Sequence, residues 1–290
     1  MRPIIGLVLG GGGSRGLAHI GVLDILQREN VPIDFIVGTS MGGIVGVLHG
    51  LGLAPDALAV ALSTAMGVNF AQSRTLRDLK LVSARARQTR LREQLTQIVG
   101  DKTFADLRLP VTVMATDMLH GAEVAVDSGD LVTALLATSA VPGVFPPVRW
   151  KGYHLADGGV IDSLATHVAY DKGADRLIAV DVYPQLEKHN PWNDPISAIM
   201  GIQFPSNLLG SQREPVKTPN ALSSMWRAVR VMTWHLHQLR LADHPADVLL
   251  RPEVDDIGSL DFKDLDRPIQ AGRAAAEANL AALQALSVRV

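Results

Sequence analysis

The sequence predicts an α/β fold with a mainly parallel central sheet. Three observations carry this expectation. Short apolar runs rich in Ile and Val alternate with stretches of helical spacing, beginning at Ile4. Those runs are continuously apolar rather than alternating, as strands buried on both faces require. The order strand, helix, strand, helix then continues along the chain, which is the pattern of a sheet with crossover helices.

The elements follow in order. Ile4 to Leu9 is a first buried strand, and Gly10 to Gly13 a loop. Ser14 is placed to cap a helix to about Asn30, with Ala18, Val22, Ile25 and Leu26 near helical spacing. Val31-Pro32 breaks that helix. Phe35 to Val37 is a second strand, Gly38 to Gly43 a turn, and a small-residue helix runs to about Leu51. Pro55 opens another helix from its first turn. Val111 to Thr116 and Glu123 to Val126 are strands, and Asp130 caps a helix to about Ser139, stopped before Pro142. Tyr153 to Leu155 leads into Asp157-Gly158-Gly159, and Leu177 to Val182 is a buried strand. Val248 to Leu250 is the last strand, and Pro268 starts an Ala-rich final helix.

Two stretches stand apart. Residues 184–220 are rich in Pro, Asn, Ser and Gln and read as a mobile excursion. Leu222, Met225, Trp226, Val229, Met232, Leu236 and Leu239 then form a helical stripe, with Arg227, Arg230 and Arg240 off it. We read this stripe as a core-packing helix, in preference to a cover for an acyl pocket or a membrane contact. Residues 1–290 are thus read as one domain with a mobile or helical appendage at about 184–241. The basic residues Arg74, Arg77, Lys80, Arg85, Arg87, Arg90 and Arg92 are read as a solvated helix face, in preference to a patch for lipid head groups.

Composition narrows the function. With no cysteine, the chain has no disulfide scaffold, no Cys-ligated metal and no thiol catalysis. The net charge of −2 gives no global basic field, so nucleic acid is not expected as a partner. The apolar run at Ile4 to Leu9 is too short for a signal-peptide core. Phe35 to Ala54 is long enough to span a bilayer but carries Thr39, Ser40, His49 and many glycines. The expected location is therefore the cytoplasm.

Three glycine-marked sites carry chemistry. Gly38-Thr39-Ser40-Met41-Gly42 is a G-x-S-x-G pattern between a strand and a helix, the context in which it acts as a nucleophile elbow. The sharp turn exposes the hydroxyl, and the helix start offers N–H groups to a developing oxyanion. Gly11-Gly12-Gly13-Ser14-Arg15-Gly16 is a loop whose backbone can turn onto a phosphate or an oxyanion. Gly11-x-Gly13-x-x-Gly16 also matches a dinucleotide fingerprint, but Asp34 precedes the second strand, where no ribose contact would be made. Asp157-Gly158-Gly159 is turn chemistry alone, and a candidate base beside a serine. Of the nine histidines, His154, His167, His235, His237 and His244 suit a histidine-dependent hydrolase by order, but no local pattern selects one.

Together these blocks, with Thr138-Ser139-Ala140-Val141-Pro142-Gly143-Val144-Phe145-Pro146-Pro147, resemble the bacterial branch of the patatin-like phospholipases. The resemblance runs from about Ile4 to Val182, more weakly over Val248 to Ile257. It implies a three-layer α/β/α sandwich and a serine esterase or lipid acyl hydrolase working through a Ser–Asp dyad and an acyl-enzyme. Histidine, metal and cofactor have no part in that dyad. It implies Ser40 as nucleophile, Asp157 as base, and the amides of Gly11, Gly12 and Gly13 as oxyanion hole. Arg15, Gly16, Gly38, Gly42, Gly158 and Gly159 support the motifs. The implied partner is a phospholipid or other acyl ester, with peripheral contact at the inner membrane surface. Asp162-Ser163-Leu164-Ala165 stands where that family often has Asn-Pro-x-Pro. This departure keeps an inactive scaffold in view, and the glycine loop keeps a nucleotide-binding protein in view. A dyad also has a physical demand. Aspartate at its usual pKa of ~3.9 is a poor base for a hydroxyl, so the site must be dry.

Overall fold

A computed structural model describes residues 2–70, 84–186, 221–258 and 261–287. Most of the expected excursion, residues 187–220, and the start of the basic run, Arg74, Arg77 and Lys80, lie outside the described residues. Arg85, Arg90 and Arg92 are exposed, as a solvated helix face requires.

Among the described residues eight strands form one sheet: β1 (Ile5–Leu9), β2 (Phe35–Thr39), β3 (Val111–Asp117), β4 (Ala122–Val126), β5 (Val148–Trp150), β6 (Tyr153–Asp157), β7 (Arg176–Val180) and β8 (Val248–Leu250). The path is β5-β6-β3-β2-β1-β7-β8, with β4 paired to β3 off that path. β3, β2, β1, β7 and β8 run parallel, while β4, β5 and β6 are antiparallel additions. The β5 strand escaped the sequence reading. Its three residues include Arg149 and are too few to show a period.

The helices are α1 (Ala18–Arg28), α2 (Met41–Gly50), α3 (Pro55–Phe70), α4 (Ala84–Val99), α5 (Leu131–Thr138), α6 (Thr166–Asp171), α7 (Ala221–Asp243), α8 (Asp266–Ala278) and α9 (Leu280–Ala285). They cover both faces. Leu7 and Leu9 of β1 face a core shared with α1, α2, α5 and α8, whereas Val8 between them faces Val168 and Ala169 of α6 and Leu241 of α7. Successive strand residues point to opposite faces, so a strand apolar throughout must be covered twice. The result is a three-layer α/β/α sandwich.

Ser14 departs from its expected role. A short 3₁₀ turn, Gly13–Leu17, precedes α1, and the Ser14 hydroxyl caps nothing. It is buried and donates to the Gly258 carbonyl at 2.5 Å. The glycine loop is thereby tied to a segment far along the chain.

The central arrangement for the site is the use of β3 as a ruler. Ile36 to Thr39 of β2 pair with Val111 to Met114, and Leu155 to Asp157 of β6 pair with Ala115 to Asp117. β4 pairs with Val113 to Asp117 and so occupies the other edge. β2 and β6 therefore meet end to end along a single edge of β3.

Candidate active site

Thr39 lies opposite Met114 and Asp157 opposite Ala115. Ser40 follows Thr39, so the sheet register alone brings Ser40 and Asp157 to one junction. Both residues line the same cavity there.

Ser40 has φ 52 and ψ −121, a conformation rare outside glycine. Such strain costs on the order of 1–3 kcal/mol and persists only where the surroundings hold it. Here the Ser40 N–H donates to Thr138 Oγ1 at 2.7 Å, and the Thr138 hydroxyl donates onward to the Met114 carbonyl at 2.6 Å. The turn also needs bare backbone. A Cβ on Gly38 would stand 2.6 Å from the Gly42 carbonyl oxygen, and one on Gly42 would overlap the Leu9 carbonyl. α2 begins at once after Ser40, directing its first amides and its positive dipole end at the turn.

Asp157 is 6% exposed. Burial pushes its carboxyl up to about 6, against the opposing influence of the nearby Ser40 side chain and of the Gly159 N–H, which donates to Oδ1 at 2.8 Å. Gly158 packs against the Met114 main chain, and the Asp157 N–H donates to the Ala140 carbonyl at 3.1 Å. The segment from Thr138 to Ala140 thus touches both members of the pair.

A cavity of about 350 Å³ opens over them. Its wall includes Gly11, Gly12, Gly13 and Arg15 from the glycine loop, with Met118, Val141, Pro142, Tyr183, Val229 and Thr233 around it. No histidine is among the described residues that line it. Arg15 is buried and donates to the Ile257 carbonyl at 2.7 Å, ordering the loop against the same segment that holds Ser14. Gly16 packs against Met41. Gly11 has a different part from its two neighbours. Its N–H donates to the Ser163 carbonyl at 2.9 Å, which removes it from the set of oxyanion donors. Gly12 and Gly13 remain of the three loop glycines expected to serve as oxyanion donors.

Asp34 is engaged elsewhere. It accepts the Ile5 N–H at 2.7 Å and pairs with Arg2 at 2.6 Å, at the opposite end of the strands from Ser40.

The helix stripe is a correction. Met225, Met232 and Leu239 are each more than half exposed, and Leu236 is exposed as well. α7 instead docks through polar residues. Buried Arg230 donates to the Pro184 carbonyl at 2.7 Å, and His237 meets Asp181 at 3.2 Å. Thr233 receives the Tyr183 hydroxyl at 3.0 Å. Val229 and Thr233 line the cavity, so the exposed stripe adjoins its wall. The side chains of Leu222 and Trp226 lie outside the described residues.

Thr138, Ser163, Tyr183 and Thr233 had no role in the sequence reading. Thr138 carried a signal in its place at the head of the Thr138 to Pro147 block, and Ser163 in its place in the Asp162-Ser163-Leu164-Ala165 stretch.

Known proteins resemble this chain in sequence. Residues 7–170 match the model of the patatin-like phospholipases. The chain is 31% identical over 282 residues to the lysophospholipase NTE1 of Debaryomyces hansenii, covering 94% of this chain and 18% of that protein. It is 31% identical over 281 residues to an uncharacterized NTE family protein of Mycobacterium tuberculosis, covering 96% of this chain and 46% of that one. The chain thus spans less than half the length of these relatives. Among solved structures, human GIVD cytosolic phospholipase A2 aligns with a TM-score of 0.44 at 12% identity, over 95% of this chain and 60% of that one. VipD from Legionella pneumophila aligns with a TM-score of 0.41 at 14% identity, over 97% and 75%.

The buried carboxyl makes a stability prediction. A folded-state pKa of about 6 against an ordinary 3.8 means the folded protein holds its proton longer than the unfolded chain. Stability therefore falls as pH rises through that window, and the full cost stands above it. The difference corresponds to roughly 3 kcal/mol. Asp157→Asn is expected to raise the melting temperature at pH 7.5 and to lose that advantage near pH 4, read by thermal denaturation across pH.

Proposed function

Because the chain belongs to the patatin-like phospholipase family, we propose that it is a serine-dependent lipid acyl hydrolase. Its substrate is a phospholipid, a lysophospholipid or a related carboxylic ester. The observation that carries this reading is the sheet register that brings Ser40 and buried Asp157 together in the wall of a largely apolar cavity.

Ser40 Oγ attacks the ester carbonyl carbon, and its proton passes to Asp157. The carbonyl oxygen becomes an oxyanion, received by the amides of Gly12 and Gly13 with the first amides of α2. The C–O bond to the alcohol breaks, and the alcohol leaves with the proton from Asp157. Water then attacks the acyl-enzyme, again losing its proton to Asp157. Ser40 takes that proton back, and the fatty acid departs. Burial is what makes an aspartate useful here. It raises the affinity of Asp157 for a proton toward working pH, where a general base is most effective.

The exposed stripe of Met225, Met232, Leu236 and Leu239 supports peripheral contact with the lipid surface that holds the substrate. It is continuous with the cavity wall through Val229. No helix among the described residues is long and apolar enough to cross a membrane.

The test is hydrolysis of p-nitrophenyl butyrate with EDTA present. Ser40→Ala and Asp157→Asn, each folded by circular dichroism, are expected to lose activity by on the order of 10⁴-fold. Activity that survives either change would overturn the assignment of that residue. A wild type inert on every ester and phospholipid would leave the inactive scaffold as the reading. The wild-type kcat/KM should rise with pH through about 6, because the base form of Asp157 is the active one. Met232→Glu combined with Leu239→Glu should keep butyrate hydrolysis and lose both vesicle flotation and turnover of vesicle phospholipid.

A further inference from the structure

We propose that Ser163 is a positioning residue for the oxyanion hole. This rests on the hydrolase reading above. Ser163 grips Gly11 from both sides. Its main-chain carbonyl accepts the Gly11 N–H at 2.9 Å, and its hydroxyl donates to the Gly11 carbonyl at 3.1 Å. Both groups are buried, and Ser163 lies in the cavity wall beside Gly11, Gly12 and Ser40.

The consequence comes from peptide geometry. The Gly11 carbonyl and the Gly12 N–H belong to one planar trans peptide unit, with the two groups pointing in opposite directions. A hydroxyl that holds the carbonyl therefore also aims the N–H. Glycine backbone turns over more readily than any other, so a Gly-Gly peptide is the place where an unheld oxyanion donor would flip. The same hydrogen bond also polarises the peptide and strengthens Gly12 as a donor.

Ser163 is itself held by its neighbour. Asp162 Oδ1 accepts the Leu164 N–H at 2.9 Å, closing a turn around Ser163. Asp162 Oδ2 pairs with Arg240 at 3.3 Å and with His167 at 3.4 Å, and Glu123 pairs with both of these cations. Two carboxylates and two cations thus fix the turn from α6, α7 and β4. Arg240 sits inside this group, which makes it an ion-pair cluster and not a metal site.

The experiment pairs kinetics with amide hydrogen exchange on wild type, Ser163→Ala and Ser163→Thr. Ser163→Ala should lower kcat for p-nitrophenyl butyrate by roughly 10- to 100-fold with KM unchanged, less than the 10²–10³ of deleting a donor outright. The peptide spanning Gly11 to Gly13 should exchange several-fold faster in it. Ser163→Thr, which keeps the hydroxyl, should recover both. Unchanged exchange in Ser163→Ala overturns the clamp whatever the activity. Faster exchange with unchanged kcat overturns its catalytic role. A wild type inert on all esters overturns the hydrolase reading, and with it that role, while the exchange comparison still reports on the clamp itself.

Discussion

The site depends on one edge of β3. β2 and β6 come from distant parts of the chain and run in opposite directions, yet they share that edge and stop where they meet. The register is set by main-chain hydrogen bonds, and a slip by one residue would turn every side chain to the other face. Ser40 and Asp157 need no flexible arm to find each other. Each is the residue at which its strand gives way to a turn. This is why a strained serine and a buried carboxyl can be held side by side: the sheet, not the side chains, holds the geometry.

That geometry carries two local costs with a shared origin. Ser40 sits at positive φ, and Asp157 sits where ionisation is disfavoured. Both are held by the segment from Thr138 to Ala140, through Thr138 Oγ1 on one side and the Ala140 carbonyl on the other. The core on either face of the sheet supplies the rigidity that keeps these positions from relaxing. Losing stability at a site while keeping it elsewhere is the usual arrangement where a backbone or a charge must be poised to react.

Much of this was legible because it is local. Apolar runs gave the strands, Asp130 gave its helix cap, and G-x-S-x-G between strand and helix gave the turn at Ser40. What stayed hidden involves partners far apart in sequence. Ser14 looked like a cap because Ser before a helix normally is one, but its hydroxyl is used by Gly258. Gly11 looked like an oxyanion donor because it is one of three glycines, but Ser163 takes its N–H. The apolar stripe of α7 pointed to the core because that is where such stripes usually go. Arg230, His237 and Arg240 dock the helix instead, through carbonyls and carboxylates that no periodicity reveals.

The inverted docking of α7 bears on the chemistry of Asp157. Under the proposed reaction, a dyad with no histidine would rely on dryness to raise its base, and the cavity wall would supply that dryness. Part of the wall is α7, through Val229 and Thr233. A helix fixed by polar contacts on its inner side is free to present Met225, Met232 and Leu239 outward without loosening its grip on the sheet. In the proposed reaction an acyl chain entering beside that stripe would replace water with hydrocarbon over Asp157, and burial is already the dominant influence on that carboxyl. Under the proposed reaction, substrate binding thus strengthens the base that consumes it, so the apolar surface that would receive a lipid and the buried carboxyl that would cleave it act through the same exclusion of water.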